Sequence, residues 1–199
     1  GLRGLRCAGT VLSPADRDAA LDIASRAATA PLGDGRRWLP EVATLPAALA
    51  RPGASFVTLR AHGDLLGCIG SLVARGPLGV DIAHNAAAAA FDDPRLPPLS
   101  PGDVPVADVH VSVLGPLEPL GVTGPGELVR SLRPGVDGVL VETPTHRGTF
   151  LPSVWEQLAD PADFVAALWR KAGLKPGSWP GGTHVQRYEV EEFARPLVV

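Results

Sequence analysis

A cysteine enclosed by two glycines, in the segment Gly67-Cys68-Ile69-Gly70, constrains the fold of this chain more than any other feature. Glycine weakens the interior of a strand. Within strands it therefore usually occurs at a bulge, or where a ligand or another backbone comes close. The flanking sequence reads as two strands joined by a His62-Gly63-Asp64 turn, which predicts a hairpin. We therefore predict that Cys68 lies in mid-strand, with Leu66 on the same face and Gly67 on the other.

The rest of the chain alternates between helix signals and strands. Ser13-Pro14 and Asp160-Pro161 each combine a capping side chain with a proline at the first helical position. Because the strands arrive mostly in hairpins, the pattern indicates an α+β fold with an antiparallel sheet flanked by helices. The predicted helices are 14–28, 77–91, 126–132 and one that begins at 161, and the predicted strands are 55–61, 65–72, 107–114, 135–141, 148–152 and 184–193.

Length and charge limit the classes of protein to consider. The 199 residues fit one large domain, predicted as 13–195, between an N-terminal tail, 1–12, and a C-terminal tail, 196–199. A formal net charge of -3 provides no basic field, so nucleic acid is not an expected partner. No run approaches the roughly 20 apolar residues that span a bilayer, and no signal-peptide pattern is visible. A cytoplasmic protein without membrane contact is expected.

Cysteine and histidine usage gives no metal or cofactor pattern. The two cysteines, Cys7 and Cys68, are not part of a disulfide framework, and the five histidines form no zinc-binding spacing with them. The glycine pairs Gly33/Gly35 and Gly181/Gly182 lack the sequence context of a phosphate-binding loop. We therefore predict no metal site and no cofactor.

Four motif blocks resemble the AMME-syndrome candidate-region family. The first is similar to its hexapeptide Leu-Arg-Gly-Cys-Ile-Gly, with Leu66 at the arginine position. The segment 93–98 resembles Asp-Pro-Arg-Phe-Pro-Pro, with Leu96 replacing the aromatic residue. The segments 134–138 and 148–152 are also close to the family pattern, and the resemblance covers roughly residues 10 to 195, in order.

The resemblance implies an α+β protein with a smaller lobe and a cleft between the lobes. The biochemical activity of the family is unsettled. Its prokaryotic members are associated with Memo-like proteins and radical-SAM proteins, which implies a metabolic or modification pathway. Two functions follow as expectations: binding or transformation of a small molecule in a cleft beside Cys68, or a non-catalytic adaptor that binds a Memo-like or other partner protein.

The catalytic residues predicted for the first function are Cys68 and His110. A thiolate is the reactive form of cysteine, and a histidine partner would promote it. Members of the family usually have Glu where this chain has His110, and the two side chains could face each other if their strands are neighbours. Two alternatives stay open: Cys68 as an inert buried residue, or a coupled loss of the family's Arg and Glu, at Leu66 and His110, that removes a buried charge pair.

The residues predicted to contact a bound small molecule are Gly67, Gly70, Arg95 and Ser112. Arg95 could hold an acidic group of the substrate through its guanidinium. The structural alternative is that Arg95 binds Asp92, Asp93 or loop carbonyls and fixes the proline-rich segment. Asn85, on the second predicted helix, is expected to have a surface or capping role.

Overall fold

The computed structural model describes residues 12–198, and these form two compact units. The first unit contains the described residues up to Leu114 together with the segment from Glu191 onwards, and the second contains Gly115–Val190. Cys7 lies outside the described residues, as does most of the predicted N-terminal tail. The helices are α1 (Pro14–Thr29), α2 (Pro31–Asp34), α3 (Leu78–Phe91), α4 (Pro125–Ser131) and α5 (Pro161–Lys171). The strands are β1 (Ser55–Ala61), β2 (Asp64–Gly70), β3 (Ala107–Leu114), β4 (Glu118–Leu120), β5 (Gly138–Glu142), β6 (Arg147–Phe150), β7 (His184–Tyr188) and β8 (Val190–Pro196).

The α+β prediction is confirmed: each unit is built on a four-stranded sheet, with helices beside it. The sheet of the first unit has the order β2-β1-β3-β8, and β1 pairs antiparallel with both β2 and β3. The sheet of the second unit has the order β4-β7-β5-β6, and β7 pairs antiparallel with β4 and β5, as β5 does with β6.

Helix α1 begins where the sequence predicted, and α1 and α3 cover one face of the first sheet. The Ser13 side chain accepts from the Asp16 amide while the Asp16 carboxylate accepts from the Ser13 amide, which is a capping box. The buried face of α3 is built largely from alanines. Small side chains allow close approach, and a Cβ added at Gly67 would lie 1.8 Å from the carbonyl oxygen of Ala89. The close approach of helix and strand therefore requires glycine at 67.

The second unit has its own core. The rings of Trp155 and Phe164 stack with centroids 3.8 Å apart, and the side chains of Leu128, Leu168 and Trp169 are buried around them. Tyr188 lies over Gly138, where an added Cβ would come within 2.5 Å of its ring. Burial raises the pKa of Tyr188 to about 12, against a smaller opposing effect of its bond to Thr149.

The last predicted strand, 184–193, is two strands in the structure. The pairing of β7 with β5 ends at Tyr188, and β8 begins at Val190 in the sheet of the first unit. Alternation of polar and apolar residues continues through both, so periodicity could not show that the chain changes sheets at Glu189. Leu197, assigned above to a C-terminal tail, is buried and donates its amide to the Ala107 carbonyl at 2.8 Å.

Within residues 12–198, no helix has both the length and the apolar character needed to cross a membrane.

Candidate functional site

Cys68 lies on β2, which is an edge strand of the first sheet. Its partner on β1 is Thr58, and Thr58 in turn pairs with His110 on β3. Residues of β1 on either side of Thr58, namely Val57 and Leu59, are fully buried toward the helices. Since side chains alternate between faces, Thr58 lies on the opposite face, together with its cross-strand partners. We call this the open face of the first sheet.

Three polar side chains cross the open face in one row, Cys68, Thr58 and His110, and Glu192 of β8 approaches His110 from the neighbouring strand. The Thr58 hydroxyl donates to the Cys68 sulfur at 3.1 Å. His110 Nδ1 lies 3.8 Å from a carboxylate oxygen of Glu192, and their side chains are 27% and 50% exposed. The row therefore offers a thiol, a hydroxyl and an imidazole–carboxylate pair to the same surface.

Cys68 and His110 do not contact each other, because β1 lies between their strands. Two strand spacings separate them by roughly 9.5 Å. The condition for a direct pair, that their strands are neighbours, is not met. The roles assigned to the two residues stay predictions, and they require a ligand or an intervening group to connect them.

Leu66 does not share the face of Cys68. The register of β1 and β2 shifts between Leu59 and Arg60, so that Gly67 pairs with Leu59 and Leu65 with Arg60. This irregularity is a bulge, and it breaks the two-residue alternation. Leu66 contacts the core on the helix-covered side. The predicted alternation was wrong at this position, and Leu66 and His110 do not form a contact through which their replacement would be coupled.

The outer edge of Cys68 is closed by two side chains. Its amide donates to an Asp93 carboxylate oxygen at 3.0 Å, and its carbonyl accepts from Arg95 Nη2 at 3.1 Å. An edge strand leaves such groups unpaired, so Asp93 and Arg95 replace the backbone of a neighbouring strand. With both backbone groups directed outward, Cys68 and Thr58 form a non-hydrogen-bonded pair, in which side chains approach closely. This explains the short distance between hydroxyl and sulfur.

Asp93 and Arg95 also bind each other in a two-pronged ion pair. Arg95 Nε and Nη2 donate to the two Asp93 carboxylate oxygens at 2.8 and 2.6 Å. The Asp93 side chain is only 2% exposed, whereas that of Arg95 is 61% exposed. The bonds from Arg95 hold the pKa of Asp93 well below its usual range, against the opposing effect of burial, with help from the Cys68 and Arg95 amides. The pKa of Arg95 is raised, chiefly by its bonds to Asp93, against the opposing effect of desolvation.

These contacts agree with the structural alternative for Arg95, which binds Asp93 and a carbonyl. They leave the exposed part of the guanidinium beside Cys68, where it contributes positive charge. The sequence suggested Asp93 as a partner of Arg95 but missed its bond to the Cys68 amide, because a contact between residues 68 and 93 follows no local pattern. The only available signal was an acidic residue directly before the Pro94-Arg95 pair.

The two glycines predicted to contact a ligand have packing partners within the first unit. Gly67 faces α3, and a Cβ added at Gly70 would lie 2.2 Å from the Phe56 ring on the open face. Both contacts account for glycine without a ligand. Ser112, the remaining predicted contact residue, pairs with Phe56 on the open face and is 6% exposed.

A second polar cluster, which the sequence did not predict as such, lies where β2 ends against α3. The Asp81 carboxylate accepts from the amide and hydroxyl of Ser55, from Ser71 Oγ and from Asn85 Nδ2. Asn85 also donates to the Ser55 carbonyl at 3.0 Å, so its role is that of a buried connector rather than a surface residue. Asp81 and Asn85 are four residues apart on an alanine-rich helix, and that spacing was the available signal.

Across residues 12–198, no three His, Cys, Asp or Glu side chains are grouped so that they could hold a metal ion.

Comparison with known proteins extends these observations. The AMMECR1 family model matches residues 21–193. A protein of Methanothermobacter thermautotrophicus is 38% identical over 151 residues, covering 75% of this chain and 79% of that protein. Protein MJ0810 of Methanocaldococcus jannaschii is 35% identical over 142 residues, covering 69% and 71%. The crystal structure of the uncharacterized protein PH0010 from Pyrococcus horikoshii matches with a TM-score of 0.85 and 30% identity, over 94% of both chains.

Proposed function

The chain belongs to the AMMECR1 family, and on that premise we propose that it binds and transforms a small molecule on the open face of the first sheet, with Cys68 as nucleophile. The observation that supports this most is the row of Cys68, Thr58 and His110 with Glu192 beside His110, because it places a thiol and an acid–base pair on one surface. The Cys68 thiol is half-buried, accepts from the Thr58 hydroxyl and lies beside the Arg95 guanidinium, so a ligand that reaches it meets the sulfur, a hydroxyl and a positive charge together.

The separation of the two reactive groups limits the chemistry. His110 is too far from the sulfur to take its proton directly, since general bases act within about 3.2 Å or through one water. It can instead transfer a proton to a ligand atom that lies between the two side chains. In the simplest step the sulfur bonds to a carbonyl carbon, the C=O π pair moves to oxygen, and protonated His110 gives its proton to that oxygen. The thiol proton leaves to solvent.

The test is incubation of the Cys7→Ser chain with a defined mixture of small aldehydes, keto acids and thioesters, followed by intact-protein and small-molecule mass spectrometry. We expect consumption of at least one compound, or a covalent adduct on Cys68, and neither with Cys68→Ser. His110→Gln should reduce consumption at least tenfold while an adduct still forms, because general acid–base catalysis contributes roughly 10²–10⁴-fold. A mixture left equally unchanged by the Cys68 and Cys68→Ser forms would contradict the proposal.

The alternative is a non-catalytic adaptor that binds a protein, of which a Memo-like protein is the expected candidate. The gap between Cys68 and His110 favours it, since the two groups form no complete catalytic arrangement by themselves. Under this alternative the mixture stays unchanged and substitutions at Cys68 alter neither binding nor stability of a complex.

A further inference from the structure

A pocket separate from the open face lies in the first unit, between the carboxyl end of α1, α2 and the short turn at 104–106. Its volume is about 540 Å³, within the range of about 300–1,000 Å³ usual for sites of small ligands. The lining is mostly apolar. It consists of Arg26, Thr29, Ala30, Leu32, Gly33, Pro101, Val104 and Pro105.

Arg26 is the one charged residue of this lining. Its guanidinium lies 4.2 Å from the centroid of the Trp38 ring, which holds the side chain in place by a cation–π contact. Neither the hydrogen bonds nor the ion pairs of the described residues give it an acidic partner, in contrast to Arg37, which pairs with Asp92 at 2.6 Å. Arg26 is therefore a positioned cation whose charge is not neutralised.

Several other polar groups at or next to the pocket are already engaged. The Thr29 hydroxyl donates to the Ser25 carbonyl, and the Ala30 carbonyl accepts from the Gly33 amide. Asp103, next to Val104, accepts from the hydroxyl and amide of Ser100. A ligand would thus meet a mostly apolar lining with Arg26 as its one charged side chain.

We propose that this pocket binds a small molecule made of an apolar chain or ring with one carboxylate, and that Arg26 pairs with the carboxylate. Guanidinium and carboxylate match in geometry as well as in charge. One effect opposes this: the last carbonyl groups of α1 carry partial negative charge and favour a cation. The full positive charge of the guanidinium outweighs these partial charges.

The test compares three probes with one eight-carbon chain: octanoate, octanol and octylamine. Each is titrated into the isotope-labelled Cys7→Ser chain, followed by amide NMR shifts. We expect octanoate to shift the amides of Leu32, Gly33 and Val104, with a dissociation constant on the order of 1 mM. It should bind roughly fivefold more tightly than octanol, and octylamine should bind most weakly.

Three variants separate the contributions of charge and shape. Arg26→Gln should abolish the preference for octanoate over octanol, while Arg26→Lys should retain part of it. A Cβ added at Gly33 meets nothing within 4 Å, so Gly33→Leu should fold and fill the pocket, weakening all three probes. Gly121→Leu, which also meets nothing within 4 Å but lies in the second unit, is the matched control and should bind like the parent.

Several results would overturn the proposal: tightest binding of octylamine, an octanoate preference unchanged in Arg26→Gln, or octanoate shifts absent from the pocket amides. The site is independent of the thiol. Octanoate should therefore leave the rate of Cys68 alkylation unchanged. A failure of the octanoate test would not bear on the proposed reaction at Cys68, and the reverse also holds.

Discussion

Replacing Gly67 by alanine is expected to destabilise the protein by about 3 kcal/mol or more, because the new methyl group cannot be accommodated. Its Cβ would lie 1.8 Å from the carbonyl oxygen of Ala89 and 2.8 Å from the carbonyl carbon. Both atoms belong to the backbone of α3, so no side-chain rotation relieves the clash. Relief requires α3 and β2 to move apart, which would open the alanine-lined contact between them.

Urea denaturation of Gly67→Ala measures this effect against two controls. Gly76→Ala adds a methyl group that meets nothing within 4 Å, so we expect its free energy of unfolding to stay within about 1 kcal/mol of the parent. Gly70→Ala should be intermediate, since its clash is with the Phe56 side chain, which can rotate. Equal stability of Gly67→Ala and Gly76→Ala would show that the helix does not approach this strand so closely.

Replacing Asp93 by asparagine is expected to cost about 2 kcal/mol at neutral pH, since it breaks a nearly buried ion pair whose other partner is largely exposed. An asparagine keeps one acceptor oxygen, which cannot serve the Cys68 amide and both Arg95 nitrogens. Asp92→Asn is the matched control. Asp92 and Arg37 form an exposed pair, which contributes at most about 1 kcal/mol.

The pH dependence of this effect has a defined sign. The pKa of Asp93 is lowered in the folded protein, so the stabilisation is present above its unfolded pKa of about 3.9 and is lost as pH falls toward the folded value. The difference in unfolding free energy between parent and Asp93→Asn should therefore shrink below about pH 4. A difference that stays constant down to pH 2, or one no larger than for Asp92→Asn, would contradict this role.

Local signals in the sequence predicted much of the first unit. The turn at His62-Gly63 and the strand composition around it were sufficient for the hairpin that pairs Thr58 with Cys68, and Ser13 with Pro14 was sufficient for the start of α1. These features depend on residues close in sequence. The bulge beside Arg60 was not predictable, because alternation assumes a regular strand.

Strand order and long-range polar contacts could not be predicted from the sequence. Whether β3 pairs with β1 or with β2 depends on how α3 returns the chain, and that choice decides whether His110 can meet Cys68. The closing of the Cys68 edge by Asp93 and Arg95 joins residues 25 and 27 positions apart. Such pairings follow from the tertiary fold, and no single-residue pattern encodes them.

The reactivity of Cys68 in the native protein is the most direct test of a functional thiol on the open face. The measurement is the rate of iodoacetamide labelling of the Cys7→Ser chain, in which Cys68 is the sole thiol, over a series of urea concentrations below the unfolding transition. We predict labelling without urea at a rate that stays constant across the series, because the thiol is reachable in the folded state. A rate near zero without urea, rising in proportion to the unfolded fraction, would show that Cys68 serves only to pack the sheet.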